Sequence, residues 1–334
     1  MIMALLCASL ASGCSSPAQS PDMEIHGAWD VIRLGEAAAA DFSLEVNNDT
    51  SVSANGSSTS IDDLKKGLCD AVILGREPAS AELIGLQDHV IAYDAICIII
   101  DNNSYAGWSS ASQKMDGLKE LTFADLVSIA SVWSAGPNQA WQWKGFFKWQ
   151  TLRNASTGDY EIDTIKGVLI QGWAQTPKQI SFSLVLLPGK YDSQRSLYDS
   201  LGINEQQLAE IWSNKSMTSF TAPDLKYEEE VVAWTYRSIS SQSQYLGFAS
   251  RRVTLLALGH APVKVIAING IDPIENTQAI YNGTYPLRRK IHLLTADNAS
   301  GQVKNFVQYI LSEEGQKVVE NAGFLPLHNE ESAK

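Results

Sequence analysis

Hydroxyl donors, a helix start and one arginine are gathered in the run from Asn55 to Pro78, NGSSTSIDDLKKGLCDAVILGREP. A polar Gly-Ser-Ser-Thr-Ser turn leads into a helix-like segment. The apolar run Ala71 to Leu74 follows, closed by Gly75-Arg76. The free N–H groups and the dipole at a helix start attract an anion. Gly56, Ser57, Ser58 and Thr59 supply that start, and Arg76 adds a planar cation suited to oxyanions. The chemistry is that of a small-anion seat built without a metal and without a nucleophile. The same residues also serve as an ordinary N-cap, and Arg76 has Glu77 and Glu82 at hand for a surface ion pair.

The 334 residues, 45% hydrophobic and 19% charged, provide one large or two medium domains with real cores. The formal net charge of −12 excludes nucleic acid as a partner. It leaves an anion ligand open, because a buried seat works through local dipoles and one or two cations. The five histidines, at 26, 89, 260, 292 and 328, are scattered, with no HExxH, no GxSxG and no zinc spacing. The sequence therefore implies no enzyme, no cofactor and no metal. His26, beside Gly27, reads as structural.

The apolar stretch Met1 to Leu10 followed by Ala11-Ser12-Gly13-Cys14 reads as an export signal. It resembles the lipobox of bacterial lipoproteins, with Cys14 as the lipidated residue, although Ala11 stands where Leu is usual and a basic start is missing. An ordinary cleaved signal is the alternative. Either way the chain is expected outside the cytoplasm, as a membrane-anchored lipoprotein or a periplasmic protein. No later apolar run reaches the roughly 18 residues of a membrane span. Cys69 and Cys97 form a disulfide in an oxidising compartment or remain two buried thiols.

These residues need a scaffold of alternating elements. Strands are expected at Glu24 to Val31, Leu44 to Ser53, Ala71 to Leu74, His89 to Ile100, Ile180 to Leu187, Tyr245 to Ala249, Val263 to Ile268 and Leu287 to Thr295. Helices are expected at Leu34 to Phe42, Ile61 to Gly67, Ser80 to Leu86, Thr122 to Ser131, Ser193 to Leu201, Glu205 to Asn214, Tyr227 to Arg237 and Ser300 to Asn321. The alternation predicts an α/β layer structure. Between Val132 and Trp149 the chain is aromatic, with Trp133, Trp141, Trp143 and Trp149.

In their order, several segments resemble the phosphate-binding proteins of ABC transporters, in the type II periplasmic binding fold. NGSSTSIDDLKKGLCDAVILGREP is similar to that family's GSGTGI…G…DI…SRP stretch, and VIAYDAICIIIDNN to its hinge strand. LTFADLVSI, QYLGFASRR…VKVIAINGIDP, NGTYPLRRKIHLLT and NFVQYILSEEGQKVVENAGFLPL have counterparts there too. The last two, YPL and the EGQ tail, are the most specific.

The resemblance implies two α/β lobes joined by two hinge strands, with the ligand between them. Residues 1–21 would be signal and tether, 22–93 plus 262–334 lobe 1, and 94–261 lobe 2. It also implies three anion-binding turns. The first is Gly27-Ala28-Trp29-Asp30, where the family's Ser-Thr-Thr is replaced. Asp30 caps the next helix or faces the ligand, where it would repel a dianion by about 4 kcal/mol per unit-charge pair. The second is Gly56 to Thr59, with Arg76 beside it. The third is Asp192-Ser193-Gln194-Arg195, shortened from Ser-Gly-Thr-Arg, with Ser193 and Arg195 as donors or as a plain cap and solvated face.

The implied function is capture of phosphate or a related oxyanion by a monomer that closes by hinge bending and serves an ABC permease at the membrane. The altered first turn points instead to a divergent receptor or sensor, with a different ligand or a protein partner.

Overall fold

Short apolar strands followed by amphipathic helices build the N-terminal part of the chain. The computed structural model describes residues 21–47, 49–101, 108–109, 114–115, 120–124, 126, 183–184, 192–202, 245–258 and 263–327. The first elements are β1 (Met23–Gly27), α1 (Ile32–Val46), β2 (Thr50–Ala54), α2 (Ser57–Lys65), β3 (Ala71–Leu74) and β4 (Leu86–Asp101). Four two-residue strands follow, β5 (Trp108–Ser109), β6 (Lys114–Met115), β7 (Glu120–Leu121) and β8 (Ser183–Leu184). Next come α3 (Asp192–Ser200), β9 (Tyr245–Ser250), α4 (Arg251–Leu258) and β10 (Val263–Ile268). The chain then forms α5 (Thr277–Tyr281), β11 (Arg288–Ala296), α6 (Gly301–Leu311) and α7 (Glu313–Asn321).

The main sheet runs β2-β1-β3-β11-β4-β10-β7, with β9 pairing β4 and β8. β1 lies parallel to β2 and β3, each reached by a crossover, while β11 enters antiparallel between β3 and β4. Leu86 to Ala95 of β4 pair with β11, and Ile96 to Asp101 pair with β9 and β10. One 16-residue strand therefore serves two sets of neighbours, which explains a length well beyond the usual 3–10 residues.

Ile25, Ala71, Ile73, Ile91 and Leu293 form the sheet's side of the core, and Leu34, Ala38 and Phe42 of α1 pack on it with Val303, Phe306 and Ile310 of α6. The alanine run lets α1 lie close, since Ala38 and Ala39 face inward and add no bulk. Phe42 meets Phe306 edge-on at 5.3 Å.

Several sequence expectations fail here. β1 ends at Gly27 rather than running to Val31, and α2 starts at Ser57, four residues before the expected Ile61, and ends at Lys65. Leu44 to Val46 end α1 rather than begin β2, and Asn47 closes the helix in the left-handed region. Ser80 to Gly85 form turns, not a helix, and β4 already starts at Leu86. The long C-terminal helix is two helices, broken at Ser312, whose extended backbone lets its hydroxyl cap the second by accepting from Gly315 N–H. Cys69 and Cys97 are both buried free thiols, which decides between the two alternatives for that pair. Burial raises both, Cys69 to about 12. The signal with Cys14, the tryptophans at 133 to 149 and the helices expected at 205–214 and 227–237 lie outside the described residues. Among the described residues no helix is long and apolar enough to cross a membrane.

Candidate functional site

Gly56 precedes α2 with φ 81°, a conformation that favours glycine, and it aims the helix start inward. Ser57 is buried at that start, while Ser58 and Thr59 are exposed. β3 ends at Leu74 and delivers Gly75 and Arg76 to the same place. From the other side comes the N-terminus of α3. The Asp192 carboxylate stands between them. Ser57 Oγ donates to Asp192 Oδ1, and Gly75 N–H donates to Oδ2 at 2.7 Å. Arg76 Nε lies 3.6 Å from Oδ1. These three groups converge on the two oxygens of the Asp192 carboxylate.

Arg76 also forms a bidentate pair with Glu82, at 2.7 and 2.8 Å, which holds Glu82 below the usual carboxylate range. The ion pair with Glu82, one of the two alternatives offered for Arg76, is thus present, and the same guanidinium also approaches the Asp192 carboxylate. Gly75 has no room for a side chain. A Cβ there would stand 2.8 Å from Arg289 Nη1 and 2.9 Å from Val31 Cγ1.

The first turn is used differently from the expectation. Gly27 C=O accepts from Asn55 and Gly56 N–H, and Ala28 N–H donates to Ile73 C=O at 3.0 Å. Ala28 is fully buried, and Trp29 is partly so. Asp30 does not cap α1, whose N-cap is Val31 with no side-chain bond. It reaches across instead and caps α3, accepting from Asp192 N–H at 3.1 Å and Ser193 N–H at 2.7 Å. Its Oδ2 also pairs with Arg289 Nη1. The repulsion expected of Asp30 is thus met by a cation and by two N–H groups at a helix start.

Arg289 was not among the expected site residues. It is buried on β11 and bonds Asp94 through Nε and Nη2, at 3.1 and 2.7 Å, besides Asp30. Asp94 is its direct cross-strand partner on β4. A lone acid within the apolar run HVIAYDAICIII was the signal, because a buried carboxylate needs a buried cation.

Ser193 is fully buried, and its hydroxyl has no hydrogen-bond partner among the described residues. Arg195 pairs with Asp199 one turn on, at 2.8 Å. His26 is held between Asp63 and Glu24, at 2.9 and 3.0 Å, and ties β1 to α2. No cluster of His, Cys, Asp and Glu able to hold a metal occurs among the described residues.

Burial, then the neighbouring Asp30 charge, push Asp192 up from 3.8 to about 6, against Arg76, Ser57 and Gly75, which lower it. A carboxyl raised on folding binds its proton more tightly in the native state. Its contribution is present below 3.8 and is lost as pH rises through about 6. That loss is on the order of 3 kcal/mol. Asp192→Asn should therefore gain stability relative to the parent chain as pH rises from 4 to 7. Thermal midpoints of both proteins across that range check it, and parallel curves would clear Asp192 as the source.

An α/β scaffold carrying such a seat between a helix start and a strand end has the fold of the two-lobed periplasmic binding proteins. The chain belongs to the family of the PBP superfamily domain, whose sequence pattern matches residues 27–314. Phosphate-binding protein PstS 2 from Streptococcus agalactiae, in serotype V and serotype III strains, is 31% identical over 93 residues. That stretch is 28% of this chain and spans 29% of the length of those relatives. Among solved structures, an ABC-type phosphate transport receptor from Vibrio cholerae matches with TM-score 0.60 and 18% identity, over 91% of this chain and 99% of that one. PstS from Borrelia burgdorferi matches with TM-score 0.54 and 17% identity, over 91% and 98%. At these identities the structural likeness speaks for the fold.

Proposed function

We propose that the chain is an extracytoplasmic solute receptor that captures phosphate or a related tetrahedral oxyanion and delivers it to an ABC permease. The observation that carries this reading is the convergence of Ser57 Oγ, Gly75 N–H and Arg76 on a single carboxylate. A carboxylate and an oxyanion ask for the same donors. Arg76 is the side chain whose charge the ligand needs, and its Glu82 partner fixes the guanidinium plane. Gly56 and Ser57 complete the seat. Ser58, Thr59, Trp29 and Arg195 belong at most to its rim, and Ser193 supplies a further hydroxyl beside it. The 22–93 plus 262–334 and 94–261 lobes would close on the ligand by bending at β4 and its neighbours. A lipid on Cys14 would hold the monomer at the membrane.

Calorimetric titration with phosphate tests this. Arg76→Ala should weaken phosphate binding at least tenfold, and unchanged affinity would remove Arg76 from the site. A second reading, a divergent receptor for a different ligand or a protein partner, rests on the charge of the site. Asp30, Asp94, Asp192 and Glu82 outnumber Arg76 and Arg289 there. A thermal-shift panel of phosphate, sulfate, molybdate, tungstate, amino acids and polyamines separates the two. A ligand at about 100 times its dissociation constant adds roughly 2.7 kcal/mol. A response to polyamines or amino acids and to none of the anions would establish the second reading.

A further inference from the structure

We propose that Asp192 is a built-in ligand of the anion seat, so that a free oxyanion binds only by displacing its carboxylate. The proposal rests on the oxyanion reading above and adds the residue that sets the affinity.

Three observations carry it. The two Asp192 oxygens occupy two donors of the seat, Ser57 Oγ and Gly75 N–H, with Arg76 Nε 3.6 Å away. The acid is held there from behind, because Asp30 takes the N–H groups of Asp192 and Ser193 and is itself fixed by Arg289. Two acids thus exchange places across the site: Asp30 caps α3, and Asp192, the first residue of α3, fills the seat at α2. Finally, the Ser193 hydroxyl is buried beside this arrangement without a partner among the described residues. A carboxylate offers two oxygens, and a tetrahedral oxyanion offers four, enough to use a hydroxyl that the aspartate leaves unbonded.

A tethered carboxylate competes at an effective concentration of about millimolar or more. The apparent affinity for a free anion falls by the fraction of molecules in which the seat is vacant. The charged groups facing Asp192 are Asp30 from the turn after β1 and Arg76 beyond β3, with Glu82 behind Arg76 and Arg289 of β11 behind Asp30. Protonation of Asp192 weakens it as an acceptor and frees the seat, so competition fades toward acid pH.

The test compares the parent chain with Asp192→Ala and Asp192→Asn in calorimetric titrations with inorganic phosphate at pH 7.5. Thermal midpoints are measured alongside, with and without acetate as an untethered carboxylate. Asp192→Ala should bind phosphate at least tenfold more tightly than the parent. Acetate should raise the midpoint of Asp192→Ala and leave the parent unmoved. Equal or weaker phosphate binding, together with no acetate response, overturns the proposal and leaves the oxyanion reading to stand on the parent's own binding. An acetate response in Asp192→Ala with no phosphate binding in any protein keeps the built-in ligand and removes the phosphate reading. Should Asp192→Ala fail to fold, Asp192→Asn keeps the shape and the helix start. The same comparison then applies, with tighter phosphate binding than the parent as the expected result and unchanged binding as the overturning one.

Discussion

Replacing Arg289 by Met should destabilise the protein by about 3–5 kcal/mol, the cost of leaving buried carboxylates without their cation. Arg289 has only 2% of its side chain exposed, and its partners Asp30 and Asp94 have 0% and 1%. It also donates to Gly75 C=O at 3.2 Å. One guanidinium therefore joins β11, β4, the turn after β1 and the end of β3. Met keeps the apolar length of the side chain and removes the charge and all these donors. Water cannot replace them where no surface is exposed. The midpoint of thermal unfolding should fall by about 6 °C or more.

The partial rescue is the sharper check. Adding Asp94→Asn to Arg289→Met removes one of the two orphaned charges and should recover part of the loss. Adding Asp30→Asn as well should recover more, since the remaining groups are neutral. If Arg289→Met costs less than about 1 kcal/mol, or if the neutralised variants recover nothing, the three charges are not coupled in the way their geometry requires. The same variant reports on function, because Asp30 positions α3 and with it Asp192.

The elements that carry the seat were legible in the sequence for local reasons. A polar Gly-Ser-Ser-Thr turn entering a helix and the short apolar strand Ala71 to Leu74 both follow from neighbours in sequence, although the helix starts at Ser57 and not at Ile61. The YPL segment was legible through resemblance, and its reason is physical: the Tyr285 hydroxyl bonds Ile96 C=O at 2.8 Å from a fully buried position. The destination of Asp30 was not legible, because its partner Arg289 lies 259 residues away and α3 lies 162 away. Read locally, an acid before a helix is a cap for that helix. Only the tertiary arrangement shows that it caps another. Asp192 was hidden for the same reason. An acid at a helix start is an ordinary cap until the facing donors, Ser57 and Gly75, are in place. Apart from the helix expected at Ser80 to Leu86, which forms turns, the failures in secondary structure were of the boundary kind. Leu44 and Val46 are apolar and alternate with Glu45 as in a strand, yet they continue α1, and Ser312 interrupts an amphipathic pattern whose period runs straight through it.

Gly315→Ala should be among the most damaging single-methyl additions at the described glycines, costing about 3 kcal/mol as overpacking against backbone. A Cβ at this position would stand 2.1 Å from Tyr309 C=O oxygen and 2.6 Å from Ile310 Cα. Those atoms belong to the end of α6, so neither a rotamer change nor a flexible side chain can relieve the contact. The break at Ser312 folds α7 back on α6 at this point, and Gly315 N–H donates to the Ser312 hydroxyl at 3.2 Å. The next residue shows why the close approach matters for the site. Gln316 is buried, and its amide donates to Ile91 C=O on β4 and to Ile310 C=O, while its oxygen accepts from Leu327 N–H. Ile91 stands three residues before Asp94 on the same strand. Pushing α7 away would break the bond to β4 and loosen the strand that positions Asp94 against Arg289. The expected result is a lowered unfolding midpoint. Serine at 315 adds the same Cβ and should fare no better than alanine. A Gly315→Ala protein with an unchanged midpoint would show that α6 and α7 separate freely at this contact, and that the glycine serves only the turn.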